Sequence, residues 1–181
     1  MNGSDFNREW EDGLTPRMRQ LFAETAERHS LHLEWNETAP VEVACDYPAQ
    51  PGLDFRLWLT LSGDEFVCGG EGWSAHIFPV DSDRNWQLTV AVVDGLVTGE
   101  ARIVLYRWIG RSRPYWTVLQ LRSDDGWTNV STGLGCALIP VSRSTIVRNG
   151  YQDQVARLTV AWGSIIAWLL LIIGGYLLFL L

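Results

Sequence analysis

The sequence predicts an α+β fold: an antiparallel sheet with an N-terminal helix and one inserted helix, plus a single C-terminal transmembrane helix. Three observations predict it. Short runs alternate apolar and polar residues between Gly, Asp and Pro turns. One apolar stripe recurs at helical spacing near the N-terminus. The last 24 residues, 158–181, contain no charged side chain. The expected organisation is a polar arm over 1–13, a domain over 14–131, a juxtamembrane linker over 132–156 and a transmembrane helix over 157–181.

The first helix is expected to begin at Thr15-Pro16. The threonine hydroxyl is a good N-cap, and proline suits the first helical position. Met18, Leu21, Phe22 and Ala26 then share one face through about residue 29. Strands are predicted over 31–35, 41–45, 55–61, 65–68 and 73–78. The clearest is 55–61, where Phe55, Leu57, Leu59 and Leu61 alternate with Arg56, Trp58 and Thr60.

Residues 81–98 admit two readings. Asp94-Gly95 between apolar runs suits a hairpin turn. Alternatively Asp81 or Ser82 caps a helix that ends at Thr98-Gly99, with Val90, Val93, Leu96 and Val97 on one face. The helix is preferred. Further strands are predicted over 101–109, 115–122 and 127–131. A hairpin symmetric about the loop 110–114 would set Trp108 opposite Trp116.

A helix of 24 residues is about 36 Å long, against about 30 Å of bilayer hydrocarbon. Arg143, Arg148 and Arg157 lie just before it. Positive charge stays on the cytoplasmic side, so the expected location is the inner membrane, with the preceding domain in the cytoplasm. Gly163, Ala167, Leu171 and Gly175, with Gly174 beside the last, form a stripe on which a second helix can pack closely. Trp168 falls near mid-membrane, where its indole N–H calls for a partner, either another helix or a pigment or quinone head group.

Charge is uneven. The net is −7. Residues 1–100 hold 18 acidic residues and 6 arginines, and 101–181 hold 3 acidic residues and 8 arginines. The basic half precedes the membrane in sequence and suits anionic headgroups. Overall acidity argues against nucleic acid. All 14 basic residues are arginine, which excludes lysine Schiff-base chemistry. Cys45, Cys68 and Cys136 form no CxxC pair and are expected to be free thiols.

No catalytic constellation stands out. His29 and His32 give HxxH alone, which is too few ligands for a metal. Cys68 and His76 flank the turn 69–72 and suggest a Cys–His pair only if their side chains meet. Gly69-Gly70-Glu71-Gly72 lacks the phosphate-loop pattern. No cofactor is expected. The ten tryptophans are the unusual feature. Trp58 falls on a polar strand face, and Trp108 and Trp116 sit among Arg107, Arg111 and Arg113. Trp with Arg is the mix enriched in interface hot spots.

The sequence therefore suggests a non-catalytic accessory or assembly subunit of an integral membrane complex, respiratory or photosynthetic in type. It would dock through its transmembrane helix and the Arg/Trp surface, with other transmembrane subunits and headgroups as partners. The alternative is a membrane-tethered, immunity-like regulatory domain for a soluble partner. A Cys/His enzyme is the third reading.

Overall fold

The computed structural model describes residues 3–108, 110–132, 141–150 and 157–160, with side-chain environments for 13–108, 110–130 and 144–150. The chain is α+β, but with two antiparallel sheets rather than one. Helix α1 (Gly3–Arg28) leads into β1 (Glu34–Trp35), β2 (Val43–Tyr47), β3 (Leu57–Ser62), β4 (Glu65–Gly70) and β5 (Trp73–Ile77). These five strands form a meander in sequence order. Helix α2 (Asp83–Thr98) then opens the second half, with β6 (Ala101–Arg107), β7 (Trp116–Ser123), β8 (Gly126–Thr132), β9 (Val141–Val147) and β10 (Arg157–Val160). Their order in the second sheet is β10-β9-β6-β7-β8. The acidic half of the sequence thus builds α1, the first sheet and α2, and the basic half builds the second sheet.

The predicted stripe of α1 is the buried one: Met18, Leu21, Phe22 and Ala26 all face the core. The helix does not start at Thr15, however. It runs back to Gly3 with Pro16 inside it, so the arm expected over 1–13 is mostly helical. Proline removes one N–H from the ladder, the donor for the carbonyl of Asp12.

Helix α2 resolves the ambiguity of 81–98. Ser82 is the N-cap, its hydroxyl accepting from Asn85 N, and Gly99 closes the helix at φ 81°. The buried face is Val92, Val93, Leu96 and Val97, with Val90 only partly covered. Gly95 lets α2 approach β6, since a Cβ there would lie 3.0 Å from Ala101 N.

One continuous core joins the halves. Met18 and Phe22 of α1, Leu57, Leu59, Leu61 and Phe66 of the first sheet, Val93 and Leu96 of α2, and Ile103, Leu105 and Leu119 of the second sheet all belong to one buried cluster. At the helix ends, Arg28 and His29 both bond Asp94, each at 2.9 Å. Tyr47 donates to the carbonyl of Phe22 at 2.6 Å, pinning α1 to β2.

The C-terminal part departs most from expectation. Residues 141–147, read as part of a loose linker, form β9 between β6 and β10. Arg157–Val160, the start of the expected transmembrane helix, forms the edge strand β10. The run Val141–Val147 is rich in β-branched residues but alternates weakly, so neither face announces a strand. Among the described residues, no helix is long and apolar enough to cross a membrane. Residues 161–181, with Gly163, Ala167, Trp168, Leu171, Gly174 and Gly175, lie outside the described residues, as does Cys136.

Candidate functional site, an aromatic cleft where the sheets meet

Edge strand β5 lies against β7 and β8 of the second sheet. Thr117 on β7 donates its hydroxyl to the carbonyl of Ser74 on β5 at 3.2 Å, tying the two. Beside this tie is an open cleft of about 500 Å³, lined by Trp58, Gly70, Gly72, Trp73, Ser74, Pro114, Tyr115, Trp116 and Thr117. Among the described residues, its lining holds no carboxylate, histidine, lysine or arginine. Aromatic faces, small residues and a few neutral polar groups are what it offers a ligand.

The glycine run explains how two indoles fit. Trp58 pairs with Gly69 across β3 and β4, and Trp73 pairs with Gly70 across β4 and β5. Opposite residues share a face and successive ones alternate, so the indoles lie on opposite faces of this corner. A Cβ on Gly69 would overlap the Trp58 ring, and one on Gly70 would sit 2.7 Å from Trp73 Nε1. The Gly69–Gly72 segment is therefore a bed for two tryptophans between antiparallel strands, not a phosphate loop at a helix.

From the other sheet come Trp116 and Tyr115. Trp116 stacks on Tyr106, with centroids 5.1 Å apart and planes at 27°. This corrects the expected Trp108–Trp116 pair: the register sets Tyr106 opposite Trp116. The hairpin is two residues off symmetric, because Trp108 turns back into the loop and accepts from Arg111 N at 3.0 Å. Trp108 packs on Tyr115 instead, at 5.8 Å, and stays 49% exposed. Burial, and then neighbouring Tyr115, push the Tyr106 phenol above its ordinary range.

One polar atom in this wall is unaccounted for. The indole N–H of Trp116 is buried and has no acceptor among the described residues. Leaving such a donor unpaired costs about 1–3 kcal/mol, so it is informative where it occurs.

The predicted Arg/Trp residues divide into two groups. Trp58 and Trp116, 58 residues apart in sequence and on different sheets, meet in the cleft. Trp108, Arg111 and Arg113 are exposed on the adjoining β6–β7 loop. Arg107 is not part of the surface in the same way. Its Nε donates to Ser112 O at 2.6 Å and its Nη1 to Thr145 Oγ1, so it braces the loop. Sequence reasoning missed Trp73, Tyr115 and Pro114. The only signal for Trp73 was its place beside the glycine turn. Other tryptophans are capped by arginine: Trp86 by Arg17 at 3.8 Å, Trp35 by Arg19 at 5.0 Å, and Trp127 by Arg102 at 4.1 Å.

The Cys68–His76 pair does not form. Cys68 stands opposite Ala75, and His76 opposite Val67. Cys68 therefore points into the core, while His76 points outward and bonds Glu65 at 2.7 Å. His32 lies 3.4 Å from Glu34, away from His29 on Asp94, and no described group of three or more His, Cys, Asp or Glu is placed to hold a metal.

Burial pushes the Cys68 thiol up to about 12, and Cys45 and Tyr47 are raised by burial as well. With the thiol buried and held well above its ordinary range, alkylation of the folded chain should proceed far below the rate of a free thiol. For stability, a raised folded value means the native state keeps a proton that the unfolded chain releases. The contribution is complete below the ordinary thiol value near 9 and is lost as pH rises from there towards 12. The urea midpoint should accordingly fall steeply above pH 9; a midpoint that is level to pH 11 would contradict the buried thiols.

No protein-family model, curated protein or solved structure matches this chain. The fold and site define a two-sheet α+β domain with an aromatic cleft whose described lining is uncharged.

Proposed function

We propose that the chain is a non-catalytic accessory or assembly subunit of an integral membrane complex, which seats a segment of a partner protein in the cleft of Trp58, Tyr115 and Trp116. The observation that carries this reading is the cleft itself, with Trp58, Tyr115 and Trp116 in its lining. Aromatic walls bury apolar groups of an incoming chain, and the shielded Trp116 N–H reaches a carbonyl of that chain only when docking shifts the ring. Among the described residues, the lining includes no acid–base pair. The sequence supports the membrane setting. Strand β10 takes the first residues of the uncharged stretch, but 161–181 remain, about 31 Å as a helix and still enough to span.

The test is purification of the tagged full chain from native membranes in mild detergent, with particle mass and subunit composition measured. A large particle is expected; recovery as a lone monomer overturns the proposal. Trp116→Phe separates folding from docking. It keeps the ring on Tyr106 and removes the unpaired donor, so stability should be unchanged or rise by about 1 kcal/mol. Recovery of the partner should drop about tenfold, and full recovery would mean the N–H is not used.

A further inference from the structure

The strand register states where the chain leaves the second sheet. Arg107, the end of β6, pairs with Arg143 near the start of β9. Val160, the end of β10, pairs with Val141 at that same start. The chain therefore exits β10 at the end of the sheet that carries the β6–β7 loop, 108–115. Two strand spacings separate β10 from β6, about 10 Å.

That loop has the composition of a membrane interface. It exposes Trp108, Arg111 and Arg113 and contains no acidic residue. It is also braced. Arg107 holds Ser112 O at 2.6 Å, Arg111 N bonds Trp108 O at 3.0 Å, and Tyr115 N bonds Tyr106 O at 3.0 Å. The exposed groups are thus presented on a held backbone. Indoles partition to the headgroup level, and guanidinium groups bind phosphate with a planar fork.

We infer that the β6–β7 loop rests on an anionic bilayer, with Trp108 in the headgroup layer and Arg111 and Arg113 on lipid phosphates. This rests on the reading of 161–181 as a membrane span. The residues that follow Val160 then enter the bilayer about 10 Å from β6, and the loop cannot be far from the surface. Two arginines at an anionic surface raise its occupancy about 30-fold, and the gain is screened by salt. The cleft, whose rim includes Pro114 and Tyr115 of the same loop, then opens beside the membrane.

The test uses the full chain carrying Ser112→Cys and Cys136→Ser, labelled at residue 112 with an environment-sensitive dye. Cys45 and Cys68 are buried and stay unlabelled. The protein is reconstituted in phosphatidylcholine vesicles with or without phosphatidylglycerol, both containing a headgroup nitroxide lipid. Quenching should be strong only with phosphatidylglycerol. It should weaken in high salt and be lost when Arg111→Glu and Arg113→Glu are added. Equal, weak quenching in both vesicles, with the chain resisting alkaline extraction, overturns the loop contact and leaves the span standing. Extraction of the whole chain by alkali overturns the span, and the loop contact with it.

Discussion

Replacing Asn149 by alanine is expected to lower stability by about 2–4 kcal/mol, although the residue lies on the protein's edge and in a stretch that reads as linker. Its side chain joins three separate segments. Nδ2 donates to Gly52 O at 2.7 Å and to Val97 O, and Oδ1 accepts from Asp54 N at 2.8 Å. Asp54 answers by accepting from Gly150 N at 2.9 Å. The clasp thus ties the turn after β9 to the end of α2 and to the loop before β3. Truncation strands two carbonyls and one amide, each costing about 1–3 kcal/mol where water is excluded and less where it enters. Asn149→Asp keeps the acceptor but loses both donors and sets a carboxylate among carbonyls, so it should rescue nothing. Urea unfolding of the full chain in detergent gives the comparison. A loss under about 0.5 kcal/mol for alanine would show that the clasp is satisfied by water instead.

Phe66→Ala should cost more, about 3–5 kcal/mol. Phe66 is fully buried on β4, opposite Leu61 and Ile77. Its ring meets Phe22 of α1 at 6.2 Å and 49°. It therefore joins α1 to the first sheet, and truncation leaves a cavity that neighbours on a rigid sheet cannot fill. Phe66→Leu should recover most of the loss. The melt would decide it: a shift no larger than that of an exposed substitution would mean the site collapses around the smaller side chain. Because β4 also carries Gly69 and Gly70, the cleft should loosen with it, which partner binding would report.

Much of the fold was legible in the sequence. The four-residue stripe of α1 and the caps of α2 are local signals, set by 3.6-residue periodicity and by hydrogen bonding of Ser82. The strand 55–61 was legible because its buried face is purely apolar. Strand β9 was not, since Val141–Val147 mixes polar and β-branched residues on both faces and is held by pairing with β6. The site was half legible. Trp58 and Trp116 were singled out on composition, but nothing local places them in one cleft. Trp108 was paired wrongly because hairpin register depends on loop geometry, and Arg111 N to Trp108 O moves it by two residues.

The sequence by itself determined most element types between 14 and 131, the charge division between the halves, the buried face of α1 and the uncharged stretch 161–181. Those features depend on neighbours within a few residues, so a local reading recovers them. The tertiary structure alone decided that there are two sheets, that Gly69 and Gly70 bed two indoles, and that Cys68 and His76 face opposite ways. It alone put the end of β10 beside the Arg/Trp loop. Each of these is a matter of register, and one step of register turns a side chain to the other face of a sheet.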